Sequence, residues 1–271
     1  FRNAPRIDLL HAAIQEGNRE KLEKIINDRA MNAQASKKLK GKGVTWETLQ
    51  EDTVYQLQDP GSPDPVVAKL FDDLPFHEIC GNIIATKLIE SSGPFFVRCL
   101  DVGRFTDTAA NYFIVLEYVP DDPEDIDLAE PINMYNMFYQ VAYATHQLST
   151  ACQLQHFDMR FDNIRVKQLP NNKDFFRNGI KSNFIVKIGD WGQCEFNFGN
   201  CRSINNNVPR EATYREKWGL YPEEYSNYDF QYFISTLTPT LDSLHGISFY
   251  YIYNMIIDFL QPISFTTAQD R

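Results

Sequence analysis

Tyr112 to Val119 is a continuous apolar run of strand length, rich in β-branched and aromatic residues, and it predicts a buried strand. Downstream, Ile132 to Cys152 carries Met134, Phe138, Val141 and Leu148 near one helical face, which predicts a buried helix. Upstream, Thr53 to Leu57 and Val66 to Phe71 predict two short strands. Gln58 to Pro65 joins them, and its Asp59-Pro60-Gly61 and Pro63-Asp64-Pro65 are turn chemistry. Lys167 to Asn183, with Pro170-Asn171-Asn172 and Asn178-Gly179, predicts a loop inserted between two further strands. Near the far end, Ile247 to Leu260 is apolar but interrupted by Asn254 and Asp258, and predicts one packed helix. No run approaches the roughly 18 apolar residues that a membrane helix needs.

The chemistry sits between these elements. His156 to Asn163 reads His-Phe-Asp-Met-Arg-Phe-Asp-Asn, followed by Ile-Arg-Val, and Val186 to Gly192 reads Val-Lys-Ile-Gly-Asp-Trp-Gly. An aspartate and an asparagine thus stand five residues apart on a loop, with a second aspartate after a β-type run. Phosphoryl transfer asks for that set, because it needs position and charge rather than covalent help: one carboxylate to orient the attacking hydroxyl, and oxygen ligands to hold Mg2+ on the phosphates. Asp158 suits the first task, Asn163 and Asp190 the second. A His-x-Asp-x4-Asn match alone arises by chance in a long chain. The order strand, helix, loop, strand, Asp-Trp-Gly is what gives it weight.

In that order the chain resembles a divergent protein kinase. The family loop reads His-Arg-Asp-Leu-Lys-Pro-x-Asn. His156, Asp158 and Asn163 match it, Met159 replaces the leucine, and Arg160 stands where a lysine contacts the γ-phosphate, with a planar fork in place of a point charge. The resemblance makes Tyr112 to Val119 the strand entering the interlobe hinge, with Leu116 at the gatekeeper position and the Glu117 carbonyl and Val119 amide facing the adenine edge. Val67-Ala68-Lys69-Leu70 is similar to the family's Val-Ala-Ile-Lys, which implies Lys69 on the α- and β-phosphates. Its glutamate partner is then Glu78, on a helix expected over Phe76 to Glu90 and followed by a strand at Phe95 to Leu100. The position four residues beyond that glutamate is normally apolar, and here it is Asn82.

Cys194 to Tyr221 corresponds to an activation segment, and Pro222-Glu223 to the end of the family's Ala-Pro-Glu. Tyr228-Asp229 corresponds to a helix start whose aspartate caps the catalytic-loop backbone. Phe157 replaces the arginine that in many kinases binds a phosphate on the activation segment, so the resemblance implies an enzyme competent without that switch, or controlled by a partner. The glycine-rich loop is where the pattern departs. The positions expected to be glycine fall near Glu47, Leu49 and Asp52, while Gly41 and Gly43 lie earlier, and Glu51 or Asp52 there adds like charge beside a triphosphate.

Composition narrows the partners. The 271 residues are 43% hydrophobic and 14% aromatic, enough to bury a sizeable core. A net charge of −10 and a pI near 5.0 argue against a general nucleic-acid-binding role, which needs clustered Lys and Arg. The basic run Lys37-Lys38-Leu39-Lys40-Gly41-Lys42 is local and expected as a solvated loop or an anchor for phosphate. Five cysteines form no disulfide framework, so reduced thiols in a cytosol-like compartment are expected, with Cys194 and Cys201 close enough in sequence to leave pairing open. Ile7 to Asp28 resembles the two helices of an ankyrin repeat, with Gly17-Asn18 at the turn. One such unit cannot bury its apolar face alone, so a helical hairpin or bent helix packed on the rest is expected, with His11 structural.

The expected fold class is α+β, a two-lobed protein-kinase-like fold. A helical extension at 1–40 precedes a kinase-like domain at 41–271, with a small β-rich N-lobe at about 41–119 and a larger helical C-lobe at about 120–271. The expected activity is transfer of the γ-phosphoryl group of ATP, with Mg2+, to Ser or Thr of a protein. Lys69, Glu78, Asp158 and Arg160 form its catalytic set, Lys69, Leu116, Glu117, Val119, Asn163 and Asp190 touch nucleotide, and Asn163 and Asp190 hold metal. The alternatives are a pseudokinase serving as scaffold or virion component and a kinase-fold small-molecule phosphotransferase. Asp121, Asp122, Glu124, Asp125 and Asp127, just past the hinge, imply a protein substrate with basic residues near the acceptor. Neither nucleic acid nor membrane is an expected partner. Outlying viral kinases share this style of loop, which adds a large DNA virus as a source and virion association as an alternative to a reducing cytoplasm.

Overall fold

The computed structural model describes residues 4–31, 45–50, 54–58, 64–106, 112–128, 130–170, 175–177, 180–205 and 228–242. The runs at 37–42 and 247–260, the dipeptide Pro222-Glu223 and residues 51–53 lie outside the described residues.

The described residues form a mixed fold in which a six-stranded sheet with three helices against it faces a second half of two α-helices and several short strands. The sheet contains β1 (Ala30–Met31), β2 (Thr45–Gln50), β3 (Val54–Gln58), β4 (Val66–Phe71), β5 (Cys99–Phe105) and β6 (Tyr112–Glu117), in the order β1-β5-β6-β4-β3-β2. Every neighbouring pair is antiparallel except β1 with β5. β2 is a strand that the apolar pattern did not reveal. Its polar Thr-Trp-Glu-Thr-Leu-Gln sequence suits an edge, where only one neighbour has to be satisfied. Glu47 and Leu49, counted above as loop positions, lie within it.

Helix α3 (Phe76–Ser92) buries Ile79, Cys80, Ile83, Ile84, Ala85 and Leu88 around most of its circumference, as a helix does when it is covered on several sides. The strand expected at Phe95 to Leu100 is displaced: β5 begins at Cys99. Phe95 and Phe96 are instead drawn to a different strand, β11 (Phe184–Ile188), by a bridge between Phe96 and Ile188 and hydrogen bonds Val97 N to Ile188 O and Ile188 N to Phe95 O. The apolar run marked burial correctly and sheet membership wrongly. β5 itself reads less apolar because it carries Asp101 and Arg104.

Helices α1 (Ala4–Gln15) and α2 (Arg19–Asp28) form the expected hairpin. Gly17 turns it at φ 69°, and the Asn18 side chain accepts from the Lys21 amide at 2.9 Å to cap α2. Ile7, Leu10, Ile14, Leu22 and Ile26 join the same core as the α3 residues, so the apolar face of the pair is completed by α3 and β5 rather than by another repeat. Asp101 on β5, fully buried, ties the pair down. It faces Arg29 Nε at 3.0 Å and Arg6 Nε at 3.4 Å and accepts from the Val102 amide at 3.0 Å.

The other half is built on α4 (Pro131–Cys152), with Pro131 at its first turn and Gln153 left-handed at its end. Then come β7 (Leu154–Gln155), β8 (Ile164–Gln168) antiparallel to β11, β12 (Glu195–Phe198) between β7 and β13 (Cys201–Ser203), and α5 (Tyr228–Asp242). Two segments expected as loops contain strands. The insertion after β8 folds as a hairpin of β9 (Phe175–Arg177) and β10 (Ile180–Ser182) on either side of Asn178-Gly179, and the segment after Cys194 begins with the β12–β13 pair.

Replacing Asp101 by Ala strands two guanidinium groups beside a buried site. We expect a loss of about 3 kcal/mol in urea unfolding. Replacing Asp101 by Leu together with Arg6 and Arg29 by Met should recover most of it, and a single variant as stable as the parent would show that the ion cluster is not what anchors the hairpin.

Candidate functional site

β6 ends at Glu117, and the chain then crosses from the large sheet to the β8–β11 pair. The crossing is fixed at its far end, where the Val166 amide donates to the Asp121 carbonyl at 2.9 Å and the Gln168 amide donates to Asp121 Oδ2 at 3.0 Å. Between the two sheets lies a cleft of about 570 Å³, with Glu117, Tyr118 and Val119 along its back edge, Val54, Val67, Val97 and Leu116 as apolar walls, and Lys69, Arg160, Asn163 and Asp190 toward its mouth. A cleft of this size and mixed lining suits a small ligand.

Lys69 organises the mouth. Strand alternation puts Val67 and Lys69 on the cleft side of β4 and Ala68 in the small core on the other side. Lys69 Nζ lies 2.8 Å from Glu78 Oε1 on α3 and 3.0 Å from Asp190 Oδ1 in the loop after β11. Burial works against the ammonium charge, but the two carboxylates outweigh it and hold Lys69 above its ordinary pKa. Asp190 is held below the usual carboxylate range, because Lys69 more than offsets the effect of burial. Glu78, buried, is raised by desolvation in spite of Lys69. Asn82, one turn along α3, is buried too; its Nδ2 donates to the Glu78 carbonyl at 2.9 Å, while its Oδ1 finds no hydrogen-bond partner among the described residues.

Asp158 and Asn163 are joined directly. Asn163 Nδ2 donates to Asp158 Oδ2 at 3.0 Å and to the Asp158 carbonyl at 2.7 Å, and neither bond uses Asn163 Oδ1. Arg160 Nε lies 3.2 Å from Asp158 Oδ1. Burial raises the Asp158 pKa, and Arg160 and Asn163 offset only part of it. The loop backbone is fixed from two sides. Asp229, at the start of α5 and buried, accepts from the His156 amide at 2.7 Å and the Phe157 amide at 2.8 Å, and the His156 ring meets the Gly189 carbonyl at 2.7 Å. Those bonds hold Phe157 at φ 61°, a region costly for a bulky residue. Phe157 is buried against Tyr228, so this position offers apolar contact and no charge.

All the residues expected to act together, Lys69, Glu78, Asp158, Arg160, Asn163 and Asp190, therefore surround one mouth, and Leu116, Glu117 and Val119 line the cleft behind it. Several other participants had no legible signal. Lys187, buried on β11, pairs with the Glu117 carboxylate at 2.6 Å behind the crossing. Trp191, fully buried, packs on His156 and Phe96 at ring distances of 4.8 and 6.1 Å. It lies against Gly81, where an added Cβ would stand 2.6 Å from that of Trp191. The acidic segment is less free than its sequence suggests. Asp121 is bound to β8, Asp122 pairs with Arg165, and Asp125 Oδ2 accepts from the Asp122 amide at 2.9 Å in a short 3-10 turn. Cys194 and Cys201 are not paired, and all five cysteines are free thiols. Among the described residues no group of three or more His, Cys, Asp or Glu is placed to hold a metal alone, and no helix is long and apolar enough to cross a membrane.

No family model matches the sequence, and no curated relative matches it. Among solved structures the chain is similar to one described as WaaP in complex with acyl carrier protein, at 13% identity and a TM-score of 0.43, over 82% of this chain and 88% of that one. A likeness at that level carries no argument about this chain. Nothing in the comparisons supports the ankyrin-like reading of the first segment or a viral source.

The Gly81–Trp191 contact gives a direct test of how α3 is seated. Gly81→Ala should destabilise the fold by about 1–3 kcal/mol through overpacking against the Trp191 Cβ and Cys194 Sγ, and Trp191→Gly, which removes that Cβ, should cost less in the Gly81→Ala background than in the parent. Additive losses in the double variant, read by thermal or urea unfolding, would disprove the coupling.

Proposed function

We propose that the cleft is the site of an ATP- and Mg2+-dependent phosphotransferase with a two-lobed protein-kinase-like fold, acting on a Ser or Thr hydroxyl of a protein. The observation that carries this reading is Lys69 between Glu78 and Asp190, with the Asp158–Asn163 pair beside it. A cation held by two carboxylates, next to a hydrogen-bonded carboxylate and an amide, is the constellation that phosphoryl transfer uses. The oxygens present fit Mg2+: one Asp190 oxygen lies outside the Lys69 pair and Asn163 Oδ1 outside its two bonds, and this ion characteristically takes one or two protein ligands together with phosphates and water. When bound, Mg2+ would neutralise phosphate charge.

In this reading Lys69 binds the α- and β-phosphates, the strap at Glu117 to Val119 receives the base, and Asp158 orients the acceptor. The acceptor oxygen bonds to the γ-phosphorus, the bond to the bridging oxygen breaks with ADP as the leaving group, and the acceptor proton passes to Asp158. Arg160 steadies the transferring group. A small-molecule acceptor is the second reading. It is favoured by Asp121, Asp122 and Asp125 being engaged within the chain, which leaves less acidic surface for a basic peptide.

Thermal shift with Mg-ATP, followed by phosphotransfer to a peptide library and to a panel of small hydroxyl compounds, tests the proposal. Asp158→Asn should cut turnover by about 100-fold or more while nucleotide binding stays nearly intact, and Asp190→Asn should lower turnover and weaken the Mg2+ dependence of binding. Parent-level activity in both variants would reject the assignment.

The pH dependence has a definite sign. Asp158 must be ionised to act, and burial raises its pKa, so the acid limb of the rate should lie above the value of about 3.9 for an ordinary aspartate. Arg160 lowers that pKa. Arg160→Gln should therefore move the limb to higher pH, independently of any fall in maximal rate, and a shift to lower pH would count against Asp158 as the titrating group.

A further inference from the structure

The cleft has two unlike walls, and they come from the two different sheets. Val54 and Val67 project from β3 and β4 on one side. On the other, β8 turns Ile164 and Val166 into the core, both fully buried, and leaves Arg165 to line the cleft. Arg165 is not left to wander. Its guanidinium pairs with Asp122, which lies on the same cleft wall. Asp122 is itself placed by the Asp125 side chain on its amide at 2.9 Å and by the neighbouring Asp121 carbonyl on Val166. The back edge between the walls is the strap at Glu117, Tyr118 and Val119, and Lys69 and Asp190 lie at the mouth.

A flat group inserted edge-on to the strap would thus have the aliphatic carbon of Val54 and Val67 on one side and the Arg165 guanidinium on the other. Guanidinium stacks on electron-rich ring faces through its own plane and through cation–π attraction, while its hydrogen-bonding fork remains occupied by a carboxylate. The geometry points to Arg165 as a specificity-determining residue that stacks on the base of the nucleotide, held in register by Asp122. This rests on the nucleotide reading of the cleft given above. It adds that the base is recognised by its aromatic face, which favours the larger purine ring system over a pyrimidine, and that Arg165 does not act on the phosphates.

The experiment measures Mg2+-dependent binding of ATP, CTP and tripolyphosphate, which has phosphates and no base, to the full chain and to Arg165→Ala, Arg165→Lys and Asp122→Asn. Arg165 is about half exposed, so these variants should fold, and urea midpoints verify it. Arg165→Ala should weaken ATP by about 5- to 30-fold and leave tripolyphosphate unchanged. Arg165→Lys, which keeps charge and loses the plane, should resemble Ala, and Asp122→Asn should show a smaller loss. Equal weakening of ATP and tripolyphosphate, full rescue by Lys, or ATP binding unaffected by Arg165→Ala would each overturn the stacking role. A parent protein that binds neither ATP nor tripolyphosphate would instead reject the nucleotide reading on which it stands.

Discussion

The Lys69 ammonium between Glu78 and Asp190 is the constraint that the rest of the structure serves. Three charges from β4, α3 and the loop after β11 meet at 2.8 and 3.0 Å, with Glu78 buried, Lys69 mostly covered and Asp190 about half exposed. Removing Lys69 would leave two facing carboxylates uncompensated, whereas removing either carboxylate leaves one ion pair, so it is the ammonium that ties β4 to both of the other elements. Packing behind the charges seats α3 against the loop. Trp191 follows Asp190 directly and fills the space that Gly81 leaves open on the Glu78 helix, so the carboxylates of α3 and of the loop are brought together by an apolar contact one residue from Asp190 and three from Glu78. On the far side of α3 the α1–α2 hairpin shares its core, with Asp101 fixing the pair to β5.

The carboxylate–amide pair is held in a different way. Asp158 and Asn163 lie on a loop, and loops are positioned by backbone hydrogen bonds more than by side-chain packing. Asp229 takes two of those amides and His156 links the same loop to Gly189, next to Asp190. The left-handed Phe157 and Asp190, at φ 61° and 62°, are strained conformations maintained by these bonds. The strain is local, and it aims Asp158 and Asp190 into one mouth although 32 residues, an inserted hairpin and two strands separate them in sequence.

The elements whose burial is one-sided or complete were the ones legible in the sequence. α4, β6, β4 and the His156 to Asn163 loop read correctly because periodicity and motif coincide there. β2 did not, since an edge strand of Thr, Glu and Gln carries no burial pattern, and β5 was misplaced because Phe95-Phe96-Val97 is apolar for the sake of β11. The acidic segment illustrates a second limit: five carboxylates within seven residues read as a charged surface, while in the structure Asp121, Asp122 and Asp125 are partners of nearby amides and of Arg165. Arg165 was equally invisible as a wall of the cleft, because an exposed arginine on a short strand looks solvated until the opposite wall is known.

The chain after Gly192 is held by hydrogen bonds and sheet pairing: β12 adds to β7, Asn205 Nδ2 donates to the Gly192 carbonyl at 2.9 Å, the Asn205 amide donates to Glu195 Oε1 at 3.1 Å, and the β12–β13 turn docks on the helical hairpin. That docking is close. Asn200 N donates to the Gln15 carbonyl at 2.9 Å, Gly199 is left-handed at φ 60° against Gln15, and an added Cβ on Gly17 would stand 2.6 Å from the Asn200 carbonyl oxygen. Two glycines at facing turns let backbone meet backbone where a side chain would hold them apart. Up to Asn205 the chain after Gly192 is thus held by contacts within itself, and the same backbone-to-backbone docking joins it to the hairpin that packs on α3.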